Sequence, residues 1–102
     1  KYESYNIGPE ITDVKPVQEI VDQSLKFFPN LKISYKEPEF HEGKFLALNI
    51  DKIKNDLSYC PRLDTRTSID WTLEWYQAWI NDSDMMKYTQ QQVDSFLGLL
   101  PQ

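Results

Sequence analysis

Cysteine, histidine and glycine are scarce in this chain of 102 residues, which has one Cys, one His and three Gly. Cys60 alone excludes an internal disulfide, and its distance from His41 fits no zinc-ligand spacing. A reducing cytoplasm is the compartment such usage suits. No apolar run approaches the roughly 20 residues that span a bilayer, so a soluble domain is expected. A basic patch is missing too: Lys and Arg number 11 against 16 Asp and Glu, a formal charge of −5. That balance argues against a nucleic-acid backbone or an anionic membrane surface as partner.

What is present is an apolar fraction of 40%, with aromatics at 14%, enough for one modest core. Tyr2 to Ile7 reads as a short strand that stops at Gly8-Pro9. From Asp13, the residues Val14, Val17, Ile20, Val21, Leu25 and Phe28 recur at helical spacing, with Asp13 as cap and Pro16 in the first turn. Leu31, Ile33 and Tyr35 alternate as in a half-buried strand, and Phe45 to Ile50 is a second run of strand length. Asp51 is placed to cap a short helix through Ile53 and Leu57. Asp64 is placed to cap the longest one, with Ile69, Leu73, Tyr76 and Ile80 as one stripe and Trp71, Trp75 and Trp79 as a row beside it. Thr89 and Gln92 form a capping box ahead of Val93, Phe96 and Leu97. The expected fold class is α/β: a small mixed unit of about four helices and two or three short strands. So few strands make no self-sufficient sheet, so some edges are expected to belong against a partner domain.

Little in the chain carries chemistry by itself. His41-Glu42 is the one place where an imidazole meets a carboxylate, and a solvated loop pair explains it as well as a site does. Cys60 has no second histidine to activate it and reads as a packing cysteine. The tryptophan row reads as core or interface rather than a stacking platform. No G-x-G-x-x-G loop and no Tyr-x-x-x-Lys pair occurs, so no dinucleotide fingerprint and no catalytic or metal-ligating set is assigned.

Taken in order, several motifs point further. Tyr5-Asn6-Ile7-Gly8-Pro9 stands where one enzyme family has W-N-F-G-P. His41-Glu42-Gly43 stands for H-E-A, and Leu48-Asn49-Ile50-Asp51-Lys52-Ile53 for L-D-C-S-K-A. Leu57-Ser58-Tyr59-Cys60-Pro61 follows L-G-W-x-P, Thr72 to Trp79 follows T-V-E-W-Y-x-A-W, and Asp84-Met85 follows D-M. The chain thus resembles the C-terminal part of the CDP-glucose 4,6-dehydratases, extended short-chain dehydrogenases/reductases. It departs from their pattern at Asn49 for an acid, at Ser58-Tyr59 for Gly-Trp and at Ser83 for Gly.

The resemblance implies that residues 1–102 form a C-terminal nucleotide-sugar-binding lobe whose partner is its own N-terminal Rossmann lobe, which would hold NAD and the catalytic residues. Such enzymes use NAD to take hydride from glucose C4, lose water across C5 and C6, and return the hydride to C6. The product, a CDP-4-keto-6-deoxyglucose, feeds deoxysugar and surface-polysaccharide synthesis, and the parent is expected to be a homo-oligomer. For this lobe the resemblance implies substrate contacts from Glu42, at the ribose or base, from neighbouring His41, and from Asn6 and Gly8 in the loop bordering the cleft. An epimerase or dehydratase for another nucleotide, and an interaction domain without a ligand, stay open beside it.

Overall fold

A computed structural model describes residues 2–35 and 47–100. Four α-helices and one 3₁₀ turn account for all regular structure among the described residues: the turn at Ile11–Asp13, α1 at Val17–Phe27, α2 at Asp51–Leu57, α3 at Thr65–Ile80 and α4 at Met85–Leu97. The expected strands at Tyr2 to Ile7 and Leu31 to Tyr35 are chain without a ladder partner, and no strand forms among the described residues. Alternation marks where a strand would bury one face, but it supplies no neighbour to pair with. The four helices agree with expectation; the α/β description finds no strand to support it here. The expected strand at Phe45 to Ile50 falls partly outside the described residues.

Pro16 sets the start of α1. Its extended backbone, with ψ at 154°, holds the chain out of the helix until Val17. Asp13 therefore does not cap α1. Instead its carboxylate accepts the Thr65 N–H at 2.7 Å, and its carbonyl accepts the Thr65 hydroxyl at 2.7 Å. Asp64 caps α3 as expected, accepting the Thr67 N–H at 2.7 Å. Two acids thus satisfy amides that a helix start leaves without internal partners. Hydrogen bonding from Thr67 also holds the Asp64 carboxyl below its ordinary range. A Schellman turn ends α3: Ser83 N–H bonds the Ala78 carbonyl, Asp82 N–H bonds the Trp79 carbonyl, and Asp82 is left-handed at φ 58°.

The helix α3 is the centre of the described fold, with α1 on one side and α4 on the other. Gln23 on α1 donates to the Asp70 carboxylate on α3. On the other side Trp75 Nε1 donates to Thr89 Oγ1 at 2.9 Å, and Gln92 Nε2 donates to the Trp71 carbonyl at 2.9 Å. Thr89 and Gln92 are therefore seam residues inside α4, not its capping box. Asp84 is the cap, accepting the Lys87 N–H at 3.2 Å. The inward row of α4 is Met85, Tyr88, Gln92 and Phe96, while Val93 and Leu97 are exposed. Trp71 and Trp75 are half-buried, and Trp79 is exposed.

Packing is thin. Only Ile50 and Ile53 are buried among the described residues. The accessible surface is 8912 Å², whereas a compact monomer of this mass exposes about 6,000 Å². The radius of gyration, 16.6 Å, likewise exceeds the roughly 13 Å of a compact domain this long. No helix among the described residues is long and apolar enough to cross a membrane.

Candidate functional site

The segment from Glu3 to Glu10 lies along α2 and is fastened to it by side chains. Lys52 Nζ donates to Glu3 Oε2 at 2.8 Å and to the Ser4 carbonyl at 2.9 Å, and it sits 4.9 Å from the centre of the Tyr5 ring. The Tyr5 hydroxyl donates to Asp56 at 3.2 Å. Partial burial and this bond to an anion both raise the Tyr5 hydroxyl above its ordinary value. Lys54 pairs with Glu10 at 3.0 Å, and that hydrogen bond raises its ammonium. The helix α2 itself starts on Asn49, whose side-chain oxygen accepts the Asp51 N–H at 2.8 Å, so Asp51 is not its cap.

This fastening places two of the four substrate contacts expected from sequence. Asn6 donates to the Asn49 carbonyl at 3.4 Å, which turns its amide toward the entry of α2. Gly8 packs close: a Cβ there would lie 3.5 Å from Leu48 and 3.7 Å from Ile50. His41 and Glu42 lie outside the described residues.

Gly8 and Pro9 form one wall of a groove of about 430 Å³, completed by Ile20 on α1, by Tyr59, Pro61 and Leu63, and by Ile69 and Leu73 on α3. Three hydroxyls in the wall are turned to the backbone: Ser24 to the Ile20 carbonyl, Thr65 to the Asp13 carbonyl and Thr72 to the Ser68 carbonyl. Among the described residues no charged side chain lines the groove. It can receive an apolar or uncharged polar group, but it offers no cation to a diphosphate. Among the described residues, neither a basic side chain nor a glycine-rich turn of the kind that cradles a diphosphate faces the space.

A second, more polar hollow of about 420 Å³ lies at the entry of α2, among Glu10, Leu48, Asn49, Asp51 and Lys54. Lys54, the one cation among the described residues there, is engaged by Glu10. Of these, Glu10 and Lys54 have no distinguishing mark in the sequence, because each is an ordinary surface type; their pairing across more than forty positions gives them a role. Cys60, expected to pack, is exposed, its sulfur 3.8 Å from the Pro61 carbonyl oxygen. Among the described residues no three metal-ligand side chains converge.

No family profile matches the chain, and no solved structure matches it. One curated protein is similar: the CDP-glucose 4,6-dehydratase of Salmonella typhimurium, 26% identical over 98 residues. The match takes in 94% of this chain and 27% of that enzyme, so the chain spans about a quarter of its relative's length. The similarity supports an origin related to nucleotide-sugar dehydratases.

Proposed function

We propose that this chain is the nucleotide-sugar-binding lobe of a CDP-glucose 4,6-dehydratase. The similarity to the Salmonella enzyme carries the reading, because it runs over 94% of the chain and not over one short motif. The surface supports it: a chain that exposes about half as much area again as a compact monomer is suited to be covered by a larger body. The stretches expected as strands, Tyr2 to Ile7 and Leu31 to Tyr35, form no ladder among the described residues, which suits a lobe whose strands pair with a larger body.

On this reading the three-quarters of such an enzyme that this chain does not span supplies the NAD site and the catalytic groups, and this lobe binds and orients the sugar nucleotide. Glu42 accepts hydrogen bonds from ribose or base, His41 faces the diphosphate, and Asn6 and Gly8 border the cleft. The enzyme works as a homo-oligomer in the cytoplasm, feeding deoxysugars to surface polysaccharide. The uncharged groove beside Gly8 suits the sugar or an apolar neighbour rather than the diphosphate, whose partners belong to residues outside it.

The test is calorimetric titration of the polypeptide encoded by the reading frame containing these residues with CDP-glucose, and with UDP-, GDP- and dTDP-glucose in parallel. Tighter binding of the cytidine compound is expected. In the same protein Glu42→Ala raises KM about tenfold or more while kcat moves less, the pattern of a contact made equally in ground and transition states. Equal affinity for all four nucleotides would withdraw the cytidine assignment. No binding of any would withdraw the lobe assignment.

A further inference from the structure

Residues 3–10 are attached to the rest of the described fold in an unusual way. Backbone hydrogen bonds from other segments do not reach Glu3 to Pro9 among the described residues; what fastens this stretch is side chains. Two fastenings come from lysines two positions apart in the first half of one short helix. Lys52 holds Glu3 and the Ser4 carbonyl, and Lys54 holds Glu10. Both ion pairs stand in solvent, with side-chain exposures of 49% and 47% for Lys52 and Glu3 and 38% each for Lys54 and Glu10. Exposed pairs of this kind are weak and are screened by salt.

Between those two clasps lie Gly8 and Pro9, which wall the apolar groove. Gly8 also lies against Ile50, one of the two buried side chains. We propose that residues 3–10 are a detachable strap: α2 latches it through Lys52 and Lys54, and its release removes the Gly8-Pro9 wall of the groove. Raised ionic strength loosens the strap, whereas the seam of α3 and α4, made by indole and amide hydrogen bonds, does not respond to it. With no backbone ladder among the described residues, opening is opposed by the two clasps together with the Tyr5–Asp56 and Asn6–Asn49 hydrogen bonds, the Lys52–Tyr5 contact and the packing of Gly8.

The test is NMR of the polypeptide encoded by the reading frame containing these residues, with its methyl groups and tryptophan indoles labelled. The readouts are the nuclear Overhauser contact between Gly8 and the Leu48 and Ile50 methyls, and the backbone order parameters of residues 4–8. The Trp75 indole N–H reports on the α3–α4 seam. At low salt the contact is expected to be present, with order parameters near the roughly 0.85 of rigid backbone. At about 0.5 M salt, in Glu3→Gln/Glu10→Gln and in Lys52→Gln/Lys54→Gln, the contact is lost and the order parameters fall below about 0.6. The Trp75 resonance stays put.

A contact that persists in both variants and at high salt overturns the latch, as does its absence from the unaltered chain at low salt. Should a variant disturb Trp75 as well, the salt titration of the unaltered chain decides. Strap release ahead of any change at Trp75 upholds the proposal, and simultaneous change defeats it.

Discussion

The indole N–H of Trp75 donates to the Thr89 hydroxyl at 2.9 Å, joining α3 to α4 one turn from the tight connection at Asn81 to Asp84. With Gln92 bonded to the Trp71 carbonyl, it makes the seam polar at two points in a fold that buries few apolar side chains. Trp75→Phe keeps much of the ring and removes the donor. It is expected to cost about 1 kcal/mol, read as a melting temperature lower by about 4–8 °C. Thr89→Val should cost a similar amount, and the double variant should cost less than the two together. Additive costs would mean that the bond contributes nothing.

Asp13 acts on a helix more than fifty positions away. Asp13→Ala removes the acceptor of the Thr65 N–H at the start of α3, and a helix cap lost in this way costs about 1 kcal/mol. Urea unfolding followed by circular dichroism measures it. Because α1 begins after Pro16 without help from Asp13, the exchange protection of α1 amides should change no more than that of α3.

Ser58 is left-handed, with φ at 54°, at the end of α2. The dehydratase pattern has glycine at this position, and glycine adopts such angles without a Cβ penalty. Ser58→Gly is therefore expected to stabilise the chain by up to about 1 kcal/mol, a gain that the glycine's extra freedom in the unfolded chain reduces. A loss of stability in thermal melting would contradict this account of the α2 terminus.

The pH response follows from Asp64 and Lys54. The Asp64 carboxyl is depressed in the folded chain, so its contribution is fully present above its ordinary value of 3.8 and is lost as pH falls through the lower folded value. Lys54 is raised, so its contribution is fully present below 10.5 and is lost as pH rises through the higher folded value. Between these limits neither group adds a slope. The melting-temperature gap between the unaltered chain and Asp64→Asn should be constant at neutral pH and close as the pH drops below about 4. A gap that varies across neutral pH would assign the effect to another group.

Helices were legible in the sequence because their signal is local: the 3.6-residue period of α1 and α3 and the Asp64 cap need no distant partner. The failures share one cause. Asp13, Thr89 and Gln92 have the composition of helix caps, but their side chains bond across to α3, and sequence spacing cannot separate a cap from a cross-helix bond. The strand expected at Leu31 to Tyr35 alternates correctly and finds no neighbour among the described residues. Of the candidate site, Gly8-Pro9 is legible as a turn and Asn6 enters only through the family resemblance, whereas the Lys52 and Lys54 clasps depend on contacts between segments more than forty positions apart.

The most direct measurement is product formation by the polypeptide encoded by the reading frame containing these residues, supplied with CDP-glucose and NAD. The account predicts a 4-keto-6-deoxy sugar nucleotide, seen by its alkaline absorbance and by loss of one water in the mass spectrum. A protein that binds CDP-glucose yet returns it unchanged, or returns an epimer of the same mass, would contradict the dehydratase assignment.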